Sequence, residues 1–326
     1  MAALPGSPVV AFTDWDELGI DRGTRLLSDA GWTVRTVGSL DPDLIASVAG
    51  DATAVCVANA RLDRELISRL PQLRIIATVS AGVDCVDLDA AREAGIWVAN
   101  LPDVATEEVA VHTIAMALAL IRQLPSLDRE VRAGGWRLRV DDPPRATQSM
   151  TLGLLGLGRI GRRVGELGQA IFERVLGYDP WVGALPASCA IEQVDRRTLL
   201  ERSDVLSLHL GYEPGASAEI DAAAFAAMRP GAILLNMSRG RLVDSDALLR
   251  ALDDGNIAAA GLDVIDPEPP PRDHPLIGHA KVLLTPHSAF LSERTVDAYP
   301  EGQARNILAW ERDGRPLTPV FELDAR

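Results

Sequence analysis

The sequence has a single lysine, few aromatic residues and no apolar run long enough to span a membrane. Its formal net charge of −14 would repel a phosphate backbone and an anionic membrane surface alike, because affinity for both depends largely on Lys and Arg contacts. The longest apolar stretch, residues 109–121, is interrupted by His112 and Thr113 and is shorter than the roughly 20 residues that a membrane helix needs. We therefore expect neither nucleic acid nor a membrane as a partner.

Cysteine is also scarce. The three cysteines are widely spaced and include no C-x-x-C pair, so they predict neither a disulfide framework nor a metal site. Residues 1–6 lack the basic and apolar regions of a secretory signal. These observations predict a cytoplasmic protein with buried thiols and no metal.

The order of apolar runs along the chain indicates two α/β domains. At 326 residues the chain exceeds the roughly 250–300 residues at which one hydrophobic core stops growing. Short β-branched runs alternate with helical patterns, which is typical of parallel, doubly wound sheets. A helix predicted from Thr106 to Leu124 and a break at residues 141–144 separate two series of strands. The predicted strands are residues 9–12, 54–57, 75–79 and 96–98, then residues 152–155, 175–176, 205–208, 233–235, 259–262 and 282–284.

A glycine-rich motif between a predicted strand and a predicted helix indicates a dinucleotide site. In such a loop one glycine makes the turn, one lets the backbone reach the pyrophosphate, one lets helix and strand pack, and the helix N-terminus offers N–H groups to the anion. The next strand ends at Asp179, at the spacing of an acid that binds the ribose hydroxyls and would repel a 2′-phosphate. NAD is therefore favoured over NADP, although a glycine-rich turn without a cofactor is the alternative interpretation. The motif residues are Gly156, Gly158, Arg159, Ile160 and Gly161.

Four further segments, in the same order along the chain, resemble the D-isomer-specific 2-hydroxyacid dehydrogenases. They are SAGVD at residues 80–84, NMSRGRLVD at 236–244, GLDVIDPEP at 261–269 and LTPHS at 284–288. The resemblance implies two doubly wound, Rossmann-like α/β domains with an active-site cleft between them. Residues 1–100 with 289–326 would form a flavodoxin-like substrate domain, and residues 101–288 the NAD-binding domain. It also implies an oxidoreductase that moves a hydride between NAD(H) and a small anionic 2-oxo acid or D-2-hydroxy acid.

The resemblance assigns substrate binding to two of these segments. The main-chain N–H groups of Ala81, Gly82 and Val83 would hold the substrate carboxylate, although an ordinary turn is the plainer interpretation. Arg239 would be the catalytic arginine, because a forked and permanently charged guanidinium can bind a carboxylate and polarise the adjacent carbonyl. A surface salt bridge is the usual fate of an arginine and is the alternative interpretation of Arg239; the neighbouring Arg241 is not assigned a role.

The other two segments carry the predicted proton-transfer pair. His287 would be the acid/base, since histidine titrates near neutral pH, and Glu268 would pair with it. Formate dehydrogenases, which are relatives, have glutamine at the position of Glu268, so the glutamate favours a hydroxyacid reaction; a solvated loop carboxylate is the alternative. By resemblance, Asp263 would receive the nicotinamide carboxamide. His112 is interpreted as a packed core or interface residue.

Weaker similarities extend the predicted cofactor site. Thr106 would pack beside the nicotinamide, and His209 ends a strand on the cofactor side. The chain departs from the family pattern at Val111, where Glu or Asp is common, and at Phe290, where Gly is common. The segment from Thr285 to Glu293 is closer to the branch related to the C-terminal-binding corepressors.

The resemblance leaves two other functions open. One is an NAD(H)-sensing regulatory binding protein of corepressor type, and the other is a dehydrogenase of a phosphite-like anion. The complete set of Arg239, Glu268 and His287 favours the enzyme. The resemblance also predicts a homodimer, with the helix from Thr106 to Leu124 and residues 132–139 near the contact. Arg61 would lie at the surface or bind a second anionic group of the substrate.

Overall fold

The chain divides into two compact units. The computed structural model describes residues 7–15, 18–138, 141, 143–186, 189–211 and 216–323. Unit 1 comprises the described residues of Met1–Ala105 and Leu291–Arg326, and unit 2 those of Thr106–Phe290. The predictions for residues 1–6, Arg139 and Asp142 concern residues outside the described part.

Helices follow nearly every strand in both units. In chain order they are α1 (Asp21–Asp29), α2 (Pro42–Ala49), α3 (Arg64–Ser68), α4 (Leu88–Glu93), α5 (Thr106–Ile121), α6 (Leu124–Arg132), α7 (Arg159–Gly168), α8 (Arg196–Arg202), α9 (Ala222–Ala227), α10 (Ser245–Asp253) and α11 (Glu293–Asp313). Aspartates cap many of them. The side chain of Asp244, for example, accepts a hydrogen bond from the backbone N–H of Ala247 in the first turn of α10.

Unit 1 contains a five-stranded parallel sheet in the order β2-β1-β3-β4-β5. Its strands are β1 (Val9–Phe12), β2 (Thr33–Thr36), β3 (Ala54–Val57), β4 (Ile75–Thr78) and β5 (Trp97–Ala99). This 2-1-3-4-5 order is the flavodoxin-type arrangement. Successive side chains of β3 point to opposite faces of the sheet. Val55 and Val57 therefore belong to one buried cluster, and Ala54 and Cys56 belong to another. Such continuous apolar strands occur where helices cover both faces of a sheet.

Unit 2 contains a seven-stranded sheet whose order reverses in its middle. The strands are β6 (Thr151–Leu155), β7 (Arg174–Tyr178), β8 (Glu192–Gln193), β9 (Val205–Leu208), β10 (Ala232–Asn236), β11 (Ile257–Leu262) and β12 (Val282–Leu284). They pair in the order β12-β11-β10-β9-β6-β7-β8, and every pairing is parallel. Read from β8, this is the dinucleotide-binding order 3-2-1-4-5-6 with one further strand. Ligands bind such sheets at the carboxyl ends of the strands where the order reverses, here between β6 and β9. The predicted α/β class with two parallel sheets is confirmed.

The prediction of one helix from Thr106 to Leu124 is wrong at the C-terminal end of the helix. The helix α5 stops at Ile121, Gln123 adopts a left-handed φ of 54°, and α6 then starts at Leu124 with a proline in its first turn. Proline is favoured in a first helical turn and disfavoured in a helix interior, so Pro125 starts a new helix and does not extend the old one. Among the described residues, no single helix is long and apolar enough to cross a membrane, although α5 and α6 together pass that test with a 58° bend.

Two edge strands were missed by the sequence analysis. The strand β2 reads Thr-Val-Arg-Thr and is half-buried, and β8 has only two residues, both exposed. Neither carries the continuous apolar run that identified the other strands, because an edge strand is covered less completely than a central one.

Candidate active site

The glycine-rich loop between β6 and α7 has the geometry of a dinucleotide cradle. Gly156 adopts a φ of 103°, in the left-handed region that favours glycine, and a Cβ there would lie 2.6 Å from the His209 backbone. A Cβ on Gly161 would lie 2.1 Å from the Gly156 carbonyl oxygen, so a side chain would force the helix away from the strand. A Cβ on Gly158 would meet no described atom within 4 Å. The open position at Gly158 is where a pyrophosphate can approach the backbone.

Two further features of this loop fit NAD(H). Gly158 is the N-cap of α7 and supplies no capping side chain. The N–H groups of a first helical turn, here at Arg159 and Ile160, are suited to bind an anion. The Asp179 carboxylate, just after β7, accepts the backbone N–H groups of Leu157 and Trp181, both at 2.8 Å. An ionised carboxylate has about four acceptor positions, so Asp179 can also accept ribose hydroxyls.

His209 and Thr106 are the remaining predicted cofactor residues. His209 directly follows β9, and its Nε2 lies 2.9 Å from the Ser207 hydroxyl. Burial lowers the pKa of His209 to about 3, so this imidazole is neutral at physiological pH. Thr106 is the first residue of α5. Their contacts with a cofactor stay predictions.

Arg239 lies in a turn that is fixed by partly buried hydrogen bonds at the end of β10. Asn236 is only 1% exposed; its amide donates to the Arg239 carbonyl at 2.8 Å, and its oxygen accepts the Ser238 N–H at 3.0 Å. The Ser238 hydroxyl donates to the Leu208 carbonyl at the end of β9, also at 2.8 Å. These bonds hold Arg239 half-buried at the carboxyl edge of the sheet.

Gly240 brings the arginine turn against the acidic segment that follows β11. A Cβ on Gly240 would lie 2.2 Å from the carbonyl carbon of Ile265, so only glycine permits this approach. Arg241 turns away and pairs with Asp266 at 3.0 Å, where both side chains are substantially exposed. The sequence analysis did not identify Gly240, although its position between two arginines was visible.

His287 and Glu268 form a hydrogen-bonded pair. The His287 Nδ1 and Glu268 Oε1 atoms lie 2.5 Å apart, and the two side chains are 44% and 39% exposed. The hydrogen bond to Glu268 is the main cause of a raised His287 pKa; burial opposes it, the charges of Glu268 and Asp263 add to it, and Arg239 lowers it. Arg239 follows β10 and His287 follows β12, so both residues lie at the carboxyl edge of the same parallel sheet. Because the pair uses Nδ1, Nε2 is the atom that can exchange a proton with a substrate.

Asp263 has contacts that the sequence analysis did not foresee. Its side chain is buried, and it accepts the Thr285 hydroxyl at 2.5 Å, the Ser288 N–H at 2.8 Å and the Ala289 N–H at 3.0 Å. His112 Nε2 in turn lies 3.1 Å from the Thr285 hydroxyl oxygen. Asp263 therefore holds the loop that carries His287, and its predicted contact with the nicotinamide stays a prediction.

In unit 1, the loop after β4 turns its carbonyl groups towards the protein. The carbonyl oxygens of four successive residues are engaged, namely Ser80 by Leu101 N–H, Ala81 by the Asn100 amide, Gly82 by the Ser80 hydroxyl and Val83 by Val86 N–H. In the part of the chain that the structure describes, no acceptor engages the N–H groups of Ala81, Gly82 or Val83. Successive N–H groups of this kind form a concave site suited to a carboxylate.

The sheet order of unit 2, the glycine-rich loop and Asp179 define a dinucleotide-binding α/β protein. The family model described as "D-isomer specific 2-hydroxyacid dehydrogenase, NAD binding domain" matches residues 114–289. The chain belongs to the D-isomer-specific 2-hydroxyacid dehydrogenase family and contains its NAD-binding domain, which confirms the resemblance seen in the motifs.

Curated relatives include enzymes with different names. The D-3-phosphoglycerate dehydrogenase of Mycobacterium tuberculosis (strain ATCC 25618 / H37Rv) is 38% identical over 78% of this chain and 48% of its own length. The glyoxylate reductase of Aeropyrum pernix is 37% identical over 78% of both chains. The chain thus spans about half the length of the D-3-phosphoglycerate dehydrogenases that it matches.

Solved structures of similar fold cover nearly the whole chain. The TT0316 protein from Thermus thermophilus is 34% identical and covers 96% of this chain and 100% of its own, with a TM-score of 0.86. The D-lactate dehydrogenase from Aquifex aeolicus, complexed with NAD and lactic acid, is 28% identical and covers 94% and 98%, with a TM-score of 0.84.

Proposed function

We propose that this protein catalyses reversible hydride transfer between NAD(H) and a small anionic 2-oxo acid or D-2-hydroxy acid. The observation that carries the proposal is the hydrogen-bonded pair of His287 and Glu268 at the same carboxyl edge of the sheet as Arg239. A proton donor, its carboxylate partner and a fixed cation are the groups that reduction of a 2-oxo acid requires. Family relatives are named glyoxylate reductase and D-lactate dehydrogenase, which supports this substrate class.

Each group has a defined task in the proposed reaction. When bound, the nicotinamide cofactor supplies the hydride in reduction and accepts it in oxidation. His287 donates the proton on Nε2 to the substrate carbonyl oxygen in reduction and takes it back in oxidation, while Glu268 stabilises the imidazolium. Arg239 binds the substrate carboxylate and stabilises the negative charge that develops on the carbonyl oxygen. We also assign carboxylate binding to the N–H groups of Ala81, Gly82 and Val83.

The cofactor is proposed to be NAD(H), with NADP(H) disfavoured. The Asp179 carboxylate lies at the end of β7 and is held beside the glycine-rich loop by the Leu157 N–H. A carboxylate at this position accepts the ribose hydroxyls of NAD and repels the 2′-phosphate of NADP.

We further propose a homodimer that works in the cytoplasm. Large apolar side chains are exposed on α5, α6 and the segment after α6, namely Val111, Leu124, Val131, Trp136 and Leu138. Monomers rarely leave several large apolar groups of neighbouring elements in water, so a second copy of the chain is a suitable cover. All three cysteines are free thiols, as expected for a reducing compartment. Cys56 is buried, whereas the prediction of buried thiols is wrong for Cys85 and Cys189, which are half-buried.

The proposed activity is tested by NADH oxidation against a panel of 2-oxo acids, with phosphite and NAD⁺ in a parallel assay. For the wild type we expect turnover of at least one 2-oxo acid. Arg239→Lys keeps the charge but loses the forked geometry, so it should lose at least about tenfold in kcat/KM while binding NADH normally. Arg241→Lys is the matched control and should keep wild-type kinetics, since Arg241 contacts Asp266 at the surface.

Other outcomes separate the alternatives. Turnover of phosphite alone would assign the site to a phosphite-like anion. Tight NADH binding without turnover of any panel member would support an NAD(H)-sensing binding protein. Equal activity of the two arginine variants would show that Arg239 does not anchor the substrate.

A further inference from the structure

A partly buried chain of hydrogen bonds connects α5 to the loop that carries His287. It runs from His112 Nε2 to the Thr285 hydroxyl (3.1 Å), from that hydroxyl to the Asp263 carboxylate (2.5 Å), and from the carboxylate to the N–H groups of residues 288 and 289. We propose that Thr285 and His112 are positioning residues that hold His287 in its reactive orientation through Asp263. This inference rests on the proposed function, because it concerns the acid/base of that reaction.

The direction of each hydrogen bond follows from the groups involved. The Asp263 carboxylate accepts backbone N–H groups and also receives the Thr285 hydroxyl proton. A threonine hydroxyl has one proton, so its oxygen must act as the acceptor towards His112. His112 therefore carries a proton on Nε2 and donates it to the Thr285 hydroxyl oxygen, so the hydrogen bonds from α5 and those from the catalytic loop all end on the Asp263 carboxylate as acceptor.

The backbone conformation of His287 explains why its loop must be held in place. We call the hydrogen bonds from His112 through Thr285 to Asp263 the clamp. His287 adopts a φ of 50°, in the left-handed region that is uncommon for residues with a Cβ. Its N–H donates to the Asp263 carbonyl at 2.7 Å, while the Asp263 carboxylate holds the next two N–H groups. A loop released from these bonds would relax to a more common φ and carry the imidazole away from Glu268.

Thr285 can be replaced without removing any of the charges that act on the imidazole. The charged groups that influence His287 are Glu268, Asp263 and Arg239. Thr285 is uncharged, and valine has nearly the same shape, so Thr285→Val removes one hydrogen bond from Asp263 and leaves all three charges present. Any effect on His287 would then arise from its orientation.

A matched control for Thr285→Val is available on α5, the helix that carries His112. Thr113 is fully buried beside His112, and its hydroxyl donates to the Val109 carbonyl at 2.7 Å. Thr113→Val therefore removes a threonine hydroxyl that donates one hydrogen bond, without touching Asp263. If the Thr285 hydroxyl served stability alone, both valine variants would have lower melting temperatures and unchanged chemistry.

The experiment compares wild type, Thr285→Val, Thr285→Ser and Thr113→Val by two measurements. One is the NMR titration of His287 in ¹⁵N-histidine-labelled protein without substrate, and the other is kcat and the KM for NADH with an accepted 2-oxo acid. For Thr285→Val we expect a His287 pKa closer to that of a free histidine and a kcat lower by about tenfold to a hundredfold, the loss typical of a misplaced catalytic group, with little change in KM. Thr285→Ser and Thr113→Val should retain the wild-type pKa and kcat.

A double-mutant cycle tests the link to α5. His112→Phe removes the donor, so it should lower kcat, and its effect should not add to that of Thr285→Val because both act on one chain of contacts. His112→Phe also keeps the test decisive if Thr285→Val does not fold. A wild-type kcat and an unmoved His287 titration in either variant would overturn the proposal. If the wild type turns over no 2-oxo acid, the proposed function fails, and the NMR titration still decides whether the clamp exists.

Discussion

Replacing Glu268 with glutamine tests the acid/base assignment most directly, because the change removes a charge and keeps the size. The Nδ1–Oε1 distance of 2.5 Å makes the pair a charge-assisted hydrogen bond, but the two side chains are 44% and 39% exposed and water screens them. Charge-assisted hydrogen bonds contribute about 1.5–3 kcal/mol when they are shielded from water, and exposed ion pairs contribute about 0.2–1 kcal/mol. We therefore expect Glu268→Gln to remove about 1 kcal/mol of the interaction that stabilises the protonated His287.

The sign of the pH effect follows from the proton that each direction needs. Glu268 is the main group that raises the His287 pKa, so Glu268→Gln should lower that pKa. Reduction needs the imidazolium, and its alkaline limb, where His287 loses its proton, should therefore move to lower pH. Oxidation needs the neutral imidazole, and its acid limb should move in the same direction.

The assay is the full pH profile of kcat in both directions, with deuterated NADH used to establish that hydride transfer limits the rate. Asp266→Asn is the matched control, since this carboxylate lies two residues away and pairs with Arg241 at the surface. We expect the control profiles to overlay those of the wild type. Limbs that stay in place for Glu268→Gln in both directions would refute the reasoning and identify Glu268 as a solvated loop residue.

Three further predictions concern the cofactor and the assembly. Fluorescence titration should give a lower Kd for NADH than for NADPH, and Asp179→Ser should narrow the difference; equal wild-type constants would argue against the assigned role of Asp179. Gly161→Ala should weaken NADH binding and lower the free energy of unfolding by about 1–3 kcal/mol. The reason is that the new Cβ would lie 2.1 Å from the Gly156 carbonyl oxygen. A variant that binds NADH and melts like the wild type would contradict this prediction. Light scattering at micromolar concentration should show a dimer that Trp136→Glu weakens, and a wild-type monomer would contradict the proposed assembly.

The sequence by itself was sufficient for features that depend on neighbouring residues. Central strands such as β3 and β10 were predicted because burial on both faces leaves a continuous apolar run. The turn at Gly156 and the close packing of Gly161 follow from a motif only six residues long, with strand and helix on either side. Family membership followed from short motifs in a fixed order, and the family match confirms it.

Only the tertiary structure decided which distant residues meet. His112 and Thr285 are 173 positions apart, and their hydrogen bond exists because α5 packs within unit 2 near the end of β12. The sequence could not indicate the role of Gly240 for the same reason. Its lack of a side chain matters because the backbone of Ile265, which is distant in the sequence, lies close to it. Sequence patterns report the burial and conformation of local segments, whereas contacts across a sheet depend on the order of its strands. For that reason the sequence predicted which residues would carry the chemistry, and the fold determined which hydrogen bonds hold them in place.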